Sequence, residues 1–559
     1  MILRVRGRMA ATATKFGREE EGSLLIFGLF CFVMMLLVCG LAIDLMRFEE
    51  RRTTLMNTID RAALAAADLQ QTLTPQDVVK DYFTKAGLAP PADNQIRVTK
   101  NANNTFRRVE ILAGKSMDTM FIHTMGIKTL NVSAASTAEE SIGQIEVSLV
   151  LDVSGSMSGS KLTSLKPAAS SFVDKIFSSA EAGKVSMSLI LYDNQVSAGA
   201  SLLNYLDVTN EHNLSNCIEF DSGDYTSTAM RVKTGAPYQR NAHFDRITTN
   251  SGTAGLSDPH CAVAATATVS EATRTIIPFS DNPTTLKTRI NALTAGGNTS
   301  IDLGAKWGVA LLDPAMKPVV TGMIAAGQRP SAFSERPYAY GGTGDQKSLK
   351  IMVIMTDGEN TSEYELKPPY TSSNNSVLYR INNAASTSTN TSNYSIYDAA
   401  TNKYYAFATN SATGSAYGWR STPWGGGSAT AEKSGGVNIG ATAVPWKNVY
   451  QTFNVYYFAG MMGTAYNSNS VRDTWRTTPV NTLGGTAKDT QAKDICSAAK
   501  AKGKDIVIYT IAFQAATAGK TLLKACASSD ANYYDVATLD INKAFNGIVN
   551  SINKLRLTH

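Results

Sequence analysis

The chain has 559 residues, of which 43% are hydrophobic, and a formal net charge of +6. This length and apolar content exclude a disordered chain and leave room for roughly two to four domains. The small net charge, with no long run of Lys and Arg, argues against a nucleic-acid-binding protein, so no nucleic-acid partner is expected.

The first predicted element is a membrane span. Residues 24–43 carry no charge, and a helix of this length, rising about 1.5 Å per residue, crosses a bilayer core of about 30 Å. Basic residues precede and follow the run, so they favour a cytoplasmic N-terminus only slightly. A cleaved signal peptide is the alternative, but the run is too long for one and no small-residue cleavage site follows it. We therefore expect a retained anchor at 24–43, with residues 1–23 in the cytoplasm.

The cysteines indicate where the large C-terminal part resides. Two of the six lie within the apolar run, and the other four are Cys217, Cys261, Cys496 and Cys526. None has the CxxC spacing of a zinc or redox site. Two disulfides in an exported domain suit this pattern, with free buried thiols as the alternative. Pairing nearest neighbours, Cys217 with Cys261 and Cys496 with Cys526, closes the shortest loops.

Residues 44–142 form the next predicted region. A sequence rich in Ala, Leu, Glu and Arg, without Pro or Gly from residue 44 to Pro75, predicts that the helix continues away from the bilayer as a packing or dimerisation stalk. Residues 76–140 then read as one short helix and several strands, a small α+β module. This module carries no recognisable chemistry.

Strands alternate with helices from about Gly143 onward. Near-continuous apolar strands such as "IEVSLVLDV" and "LKIMVIMTD", separated by helical patterns, predict a doubly wound, mostly parallel sheet covered on both faces. Two of these strands end in aspartate, at Asp152 and Asp357. Ligands of such sheets bind beyond the carboxyl ends of the strands, so we expect both aspartates at a binding edge.

Three segments of this region carry clustered oxygen-bearing side chains: "DVSGS" after one strand, "GGNTSIDLG" before a helix and "MTDGEN" after a later strand. Together they resemble the metal-ion-dependent adhesion site of von Willebrand factor A-type domains. The resemblance implies a von Willebrand factor A-type domain over 143–559, with a divalent cation held directly or through water by five residues: Asp152, Ser154, Ser156, Thr299 and Asp357. Thr299 has Ser300 beside it, because the usual Gly-Gly-Thr is here Gly-Gly-Asn-Thr.

The chemistry of these side chains fits such a site. Hydroxyl and carboxylate oxygens are hard ligands, and a small site that keeps waters favours Mg²⁺, with Ca²⁺ or Mn²⁺ as alternatives. With only two carboxylates, the ion would stay electrophilic and could accept an acidic side chain of a partner. For "DVSGS" alone, the alternative is a capped helix start, since Asp and Ser are favoured N-cap residues.

Two long insertions interrupt the domain, at about 200–270 and 360–488. Both are longer than ordinary connections within a sheet of this kind. The second is rich in Ser, Thr, Asn and Gly, with Tyr and Trp throughout. Because it leaves directly after Asp357, we interpret it as a recognition surface beside the metal edge, with a polar spacer as the alternative.

The N-terminal segment, beginning "EEEGSLLIFGLFCFVMMLLVCGLAIDL", resembles TadE/TadG-like proteins of the tight-adherence (Flp) pilus assembly system. Larger TadG-like members carry a C-terminal von Willebrand factor A-type domain. The resemblance implies a single-pass protein of the bacterial inner membrane, with its C-terminal domain in the periplasm or envelope and pilus-assembly or envelope proteins as partners. Processed relatives have a glutamate five residues after the cleavage glycine; counted from Gly22 that position is Phe27, so the anchor should persist.

Enzymatic signatures are absent from the sequence. There are five histidines and no HExxH, GxSxG or P-loop pattern, so the common nucleophile, zinc and phosphate sites have no candidates. We expect a metal-dependent binding protein of pilus assembly or adhesion rather than an enzyme. A purely structural envelope anchor or scaffold is the main alternative. A metal-dependent hydrolase using Asp152 and Asp357 is the weaker one, because no general base is apparent.

Overall fold

The structure is a computed structural model that describes residues 21–68, 71–100, 106–141, 143–180, 182–246, 248–249, 252–261, 271–342, 348–504 and 506–558. The chain divides into two units, Met1–Ile142 and Gly143–His559, called unit 1 and unit 2. Of the cytoplasmic segment predicted over 1–23, residues 1–20 lie outside the described residues.

Unit 1 begins with a continuous helix, Glu21–Ala67, called the N-terminal helix. Its most apolar stretch has a mean hydropathy of 2.9, and among the described residues it is the one unbroken helix long and apolar enough to cross a membrane. Large apolar side chains from Leu24 to Met46 are exposed, whereas Leu55, Ile59 and the alanines that follow are buried. One helix therefore contains both the predicted span and the predicted stalk.

The rest of unit 1 packs against the second half of this helix. Thr74 caps the helix Pro75–Lys85 by accepting the N–H of Asp77. Three strands follow, β1 (Ile96–Lys100), β2 (Phe106–Asp118) and β3 (Thr129–Ser141). They form an antiparallel sheet in the order β1-β2-β3. Their apolar side chains share one core with both helices, which confirms the predicted α+β module.

Unit 2 contains the remaining strands and helices. Its strands are β4 (Gln144–Asp152), β5 (Val185–Tyr192), β6 (Ile277–Ser280), β7 (Ser348–Thr356), β8 (Glu363–Leu366), β9 (Asn375–Ile381), β10 (Tyr394–Asp398), β11 (Lys403–Thr409), β12 (Ala416–Arg420), β13 (Lys433–Ser434), β14 (Val437–Asn438), β15 (Ala441–Pro445), β16 (Val480–Leu483), β17 (Ile506–Phe513) and β18 (Tyr533–Val536). Its α-helices are Ser160–Ser178, Gly199–Leu203, Glu271–Arg274, Pro283–Asn291, Ile301–Ala310, Lys317–Ala325, Trp446–Thr452, Val455–Ala465, Asn469–Thr477, Gly485–Ala499, Thr517–Cys526 and Asn542–Thr558.

The central sheet of unit 2 has the order β18-β17-β7-β4-β5-β6. All its strand pairs are parallel except β5 with β6, so one edge strand is antiparallel. β4 is buried at every residue because both faces of the sheet are covered, as expected for parallel sheets. This arrangement confirms the predicted fold class.

Helices cover the two faces of this sheet. One face packs against side chains of helices Ser160–Ser178, Pro283–Asn291 and Asn542–Thr558. The other packs against helices Ile301–Ala310 and Gly485–Ala499, among others. Along the chain, β4 is the first strand of this sheet, and β5 is added on one side of it. The later strand β7 is added on the other side, so the direction of strand addition reverses at β4. The carboxyl ends of β4 and β7 therefore meet at the reversal point, where ligands bind in sheets of this type.

The second insertion is folded. It opens with β8, which pairs with β16 at its far end, and contains a five-stranded antiparallel sheet in the order β12-β11-β10-β9-β15. An apolar cluster that includes the buried side chains of Tyr394, Trp446 and Tyr450 packs against this sheet. The structure also contains both predicted disulfides, Cys217–Cys261 and Cys496–Cys526.

Candidate metal centre

The centre forms where β4 and β7 end side by side. Their parallel register pairs Leu151 with Met355, so Asp152 and Asp357 follow at the same edge of the sheet. The loop after β4 is fixed to the loop before helix Ile301–Ala310, because the Gly155 N–H donates to the Gly297 carbonyl at 2.9 Å. Three segments far apart in sequence thus converge.

Asp152 lies deepest and is fully buried. Its Oδ1 accepts the backbone N–H of Ser154 at 2.8 Å, and its Oδ2 accepts the Thr356 hydroxyl at 2.5 Å. Burial, and secondarily the nearby Asp357 carboxylate, raises the pKa of Asp152 to about 6. The site therefore disfavours two negative charges, a cost that a bound cation would offset.

The two serines connect Asp152 to Asp357. The hydroxyl oxygens of Ser154 and Ser156 are 3.1 Å apart. The Ser156 hydroxyl donates to Asp357 Oδ1 at 2.6 Å. Ser154 is buried and Ser156 is exposed, so the cluster reaches from the interior to solvent.

Thr299 faces the same spot, whereas Ser300 does not. A Cβ atom placed on Gly358 would lie 3.6 Å from Ser156 Oγ and 3.7 Å from Thr299 Oγ1, so both hydroxyls approach one point. The Ser300 hydroxyl instead donates to the Asn194 carbonyl at 2.7 Å. The structure thus brings together the five predicted residues, called here the oxygen cluster, and directs Ser300 elsewhere.

Lys161 supplies a positive charge that the sequence reasoning missed. It lies at the start of helix Ser160–Ser178, and its Nζ is 2.5 Å from Asp357 Oδ2. The Asp357 side chain is fully buried and that of Lys161 is 23% exposed. The position was visible in the sequence, nine residues after Asp152, but nothing local indicated that the ammonium would turn toward Asp357.

The oxygen cluster fits a hard divalent cation. It combines two carboxylates with three hydroxyls, the donor set that suits Mg²⁺ or Ca²⁺. An ammonium already contacts Asp357, which indicates that this position favours positive charge. No group of three or more His, Cys, Asp or Glu side chains that could hold a metal occurs in the described part of the chain. Any ion here would therefore depend on the hydroxyl oxygens.

A buried ion network lies behind Thr299. The Lys488 ammonium, fully buried, donates to the Thr299 carbonyl at 3.2 Å and to Ser300 Oγ at 2.5 Å. It also forms ion pairs with Asp302 at 3.7 Å and Glu363 at 3.5 Å. Burial raises the pKa of both carboxyls. Lys488 belongs to a segment remote in sequence, so no local pattern could have revealed it.

The second insertion starts beside the oxygen cluster. Asn360, three residues after Asp357, accepts the N–H of Ile301 at 2.7 Å and donates to Asp489 at 2.9 Å. These bonds join the start of the insertion, the helix after Thr299 and the helix that follows the insertion. The insertion therefore leaves and re-enters the domain at the edge that carries the cluster.

Residues 22–69 match the family model described as Flp pilus-assembly TadE/G-like. The match covers the N-terminal helix and ends just beyond it. No curated protein matches the chain.

Several solved structures align with the chain at low similarity. The von Willebrand factor domain of the type V pili tip protein Mfa5 from Porphyromonas gingivalis is 14% identical, with a TM-score of 0.28, over 74% of this chain and 96% of that one. The pilus adhesin SpaC from Lactobacillus rhamnosus GG is 10% identical, with a TM-score of 0.28, over 84% of this chain and 35% of that one. The pilus adhesin RrgA from Streptococcus pneumoniae is 12% identical, with a TM-score of 0.24, over 82% and 48%.

The chain thus spans only about a third to a half of the two pilus adhesins. These likenesses are too distant to indicate a shared function, and the fold class rests on the strand order of the central sheet itself. The chain therefore combines a segment, residues 22–69, that matches the TadE/G-like model of Flp pilus assembly with a unit whose doubly wound sheet carries the oxygen cluster at its edge.

Proposed function

We propose that this protein is a membrane-anchored, exported component of Flp pilus assembly that binds an acidic side chain of a protein partner through a divalent cation, with Mg²⁺ the first candidate. The observation that carries the proposal is the convergence of Ser154, Ser156, Thr299 and two aspartates at the reversal point of a parallel sheet. A pilus-assembly segment on the same chain supports the biological setting.

The anchor and the export of unit 2 are parts of this proposal. An unbroken apolar helix supports a single span of the inner membrane. Two disulfides in unit 2 support an oxidising compartment for that unit. Reporter fusions at residue 140 test the orientation, and activity of a reporter that works only in the cytoplasm would contradict it.

The metal is tested by titration calorimetry on the full chain in detergent. All five tryptophans lie in unit 2, so thermal unfolding followed by tryptophan fluorescence reports on that unit alone. A cation that binds only the folded state adds about 2.7 kcal/mol at a hundredfold excess over its Kd. The rise in unfolding temperature that Mg²⁺ causes should disappear in Asp152→Ala and become smaller in Ser156→Ala.

Ser158→Ala is the matched control for Ser156→Ala, because Ser158 is an exposed serine of the same loop outside the oxygen cluster. It should bind Mg²⁺ like the wild type. If the wild type binds no divalent ion, or if Asp152→Ala binds it unchanged, the metal-dependent function is wrong. The structural anchor, with Lys161 neutralising Asp357 in place of a metal, then becomes the better interpretation.

The partner-binding surface would include the second insertion. Three half-buried tyrosines on adjacent strands, Tyr379, Tyr397 and Tyr404, have ring centroids 4.9–6.1 Å apart. Clustered aromatic side chains of this kind are common anchors in protein interfaces. Pull-downs from envelope extract, with and without EDTA, should recover a partner only when metal is present. Tyr404→Ser should weaken recovery while leaving the Mg²⁺ shift intact.

A further inference from the structure

Asp44 ties the N-terminal helix to the loop between β2 and β3, residues 119–128, called here the β2–β3 loop. Its carboxylate is fully buried and accepts three backbone N–H groups of the loop. The donors are Met120 at 2.9 Å, Phe121 at 2.8 Å and Ile122 at 2.9 Å. Because the donors are backbone groups, these bonds fix the position of the loop along the helix.

Gly40 brings the same loop closer to the predicted span. A Cβ atom at Gly40 would lie 2.6 Å from the Cβ of Phe121, so only glycine allows this approach. Gly40 is three residues before Ile43, the last residue of the charge-free run, or about 5 Å inside its end along the helix axis. Phe121 therefore lies at the depth of the span rather than beyond it.

The loop presents apolar side chains that the described residues of unit 1 leave exposed. The exposed fraction is 63% for Met120, 61% for Met125, 50% for Ile127 and 41% for Phe121. The neighbouring helix surface is equally apolar and exposed, at Leu36, Leu41, Ile43, Leu45 and Met46 among others. The two surfaces meet where Phe121 packs against Gly40. The loop also contains no acidic residue and carries Lys128 and His123.

We propose that the β2–β3 loop is a second membrane contact, lying in the interfacial layer of the bilayer at the point where the N-terminal helix emerges. Met120, Phe121, Met125 and Ile127 would contact lipid, and Lys128 would face the phosphate groups. The inference rests on the anchor part of the proposed function, and it adds a loop remote in sequence to the membrane-bound surface.

Lipid is the occupant that the contacts favour. The apolar patch includes Phe121, which packs against Gly40 inside the charge-free run, and the helix side chains around Gly40 are themselves apolar and exposed. A membrane that accommodates residues 24–43 would reach the loop without any further protein. Exposed apolar patches on loops otherwise mark protein contacts, and that occupant is an outcome of the test below.

Nitroxide labelling of single cysteines in the full chain tests the inference. The chain provides its own anchor label at Cys31, since the cysteines of unit 2 are paired in disulfides. The variants are Cys39→Ser, which leaves Cys31, and Cys31→Ser/Cys39→Ser with either Met125→Cys or Leu73→Cys. Leu73 is exposed and follows the far end of the helix, so it serves as the solvent control.

The proteins are reconstituted in vesicles of phosphatidylethanolamine and phosphatidylglycerol, and the accessibility of each nitroxide to oxygen and to a water-soluble nickel chelate is measured. The label at position 125 should resemble that at Cys31, with oxygen access exceeding nickel access. The label at position 73 should show the reverse.

Two results would overturn the inference while the anchor stands. A position 125 label as open to nickel as position 73, beside a lipid-protected Cys31, would place the loop in water. A position 125 label shielded from both reagents would indicate that protein covers the patch. A Cys31 label open to nickel would instead refute the anchor itself, and the loop contact with it.

Discussion

Two fully buried carboxylates, Asp44 in unit 1 and Asp357 in unit 2, are held in different ways. Asp44 accepts three backbone N–H groups of one turn. In the described part of the chain, the donors to Asp357 are side chains, the Ser156 hydroxyl at 2.6 Å and the Lys161 ammonium at 2.5 Å. Both carboxylates are satisfied, as buried charges must be.

The donors determine what each carboxylate can do. Backbone N–H groups within a turn cannot turn away without unfolding it, so Asp44 is suited to a permanent structural bond. A hydroxyl and a lysine can rotate and release Asp357 to a cation. We infer that a buried carboxylate held by side chains can exchange those partners for a ligand. A buried carboxylate held by backbone N–H groups cannot.

The largest expected effect is that of Asp44→Ala. The substitution leaves three N–H donors without their acceptor, so the turn loses three charge-assisted hydrogen bonds. Hydrogen exchange of the amides of residues 120–122, measured by mass spectrometry on the reconstituted full chain, should accelerate roughly 100-fold.

Glu49→Ala is the control for Asp44→Ala, because Glu49 lies on the same helix and its ion pair with Arg52, at 3.6 Å, is exposed. Exchange in the β2–β3 loop should stay near the wild-type rate, since exposed pairs contribute little. Equal exchange rates in the wild type and in Asp44→Ala would show that the Asp44 carboxylate does not hold the β2–β3 loop.

The next prediction concerns unit 2, whose stability should depend on pH through one buried histidine. His260 is buried, and its Nε2 accepts the Tyr364 N–H at 3.2 Å. Burial, with a smaller contribution from Lys488, lowers the pKa of His260 from 6.5 to about 3. The unfolded chain therefore binds this proton first, and stability is lost as pH falls below 6.5 toward 3.

Between pH 7 and pH 5 the loss from His260 is about 2 kcal/mol. His260→Gln keeps an acceptor for the Tyr364 N–H but does not titrate. Between pH 7 and pH 5 its free energy of unfolding should therefore fall about 2 kcal/mol less than that of the wild type. Urea unfolding followed by tryptophan fluorescence measures both proteins, and the difference between them cancels other titrating groups. Parallel pH curves would show that His260 is not held neutral in the fold.

A neighbouring pair of hydroxyls tests the candidate metal centre itself. Thr299→Val removes a hydroxyl of the oxygen cluster, whereas Ser300→Ala removes one that bonds Asn194 and Lys488. We expect Thr299→Val to raise the Kd for Mg²⁺ about tenfold, the equivalent of one hydrogen bond to a charged group. Ser300→Ala should lower the free energy of unfolding by about 1 kcal/mol and leave that Kd unchanged.

The Kd for Mg²⁺ is measured by titration calorimetry, and the free energy of unfolding by urea unfolding, for both variants. If Ser300→Ala loses the metal and Thr299→Val keeps it, the third hydroxyl has been assigned to the wrong residue. Equal loss in both variants would indicate that the loop, rather than either hydroxyl, determines binding.

The smallest expected effect is that of Lys161→Met. Removing the ammonium from Asp357 removes a competitor for the cation, so the affinity for Mg²⁺ should rise about threefold to tenfold, a gain of about 1 kcal/mol, typical of a partly exposed pair. Titration calorimetry compares it with Lys166→Met, which lies on the same helix outside the oxygen cluster. A weaker affinity would show that Lys161 supports the metal instead of competing with it.

Much of this protein follows from local sequence. The charge-free run of residues 24–43 and the helical composition after it predict the N-terminal helix, because apolar length and helix propensity are properties of contiguous residues. Apolar strands ending in Asp152 and Asp357 predict a parallel sheet with both aspartates at one edge, because the period and order of strands limit the topology. Both disulfides join cysteines that are neighbours in sequence order, so they too follow from local sequence.

Only the tertiary structure decided which polar groups meet. Lys488 reaches Ser300 across 188 residues, and Ile122 reaches Asp44 across 78. Such pairs depend on how whole elements pack, which no short pattern records. The choice between Thr299 and Ser300 likewise depends on which hydroxyl the Asn194 carbonyl accepts. The sequence by itself determined the elements and the chemical types at the sheet edge, and packing determined their partners, because a buried polar group must bond to whichever group the fold brings beside it.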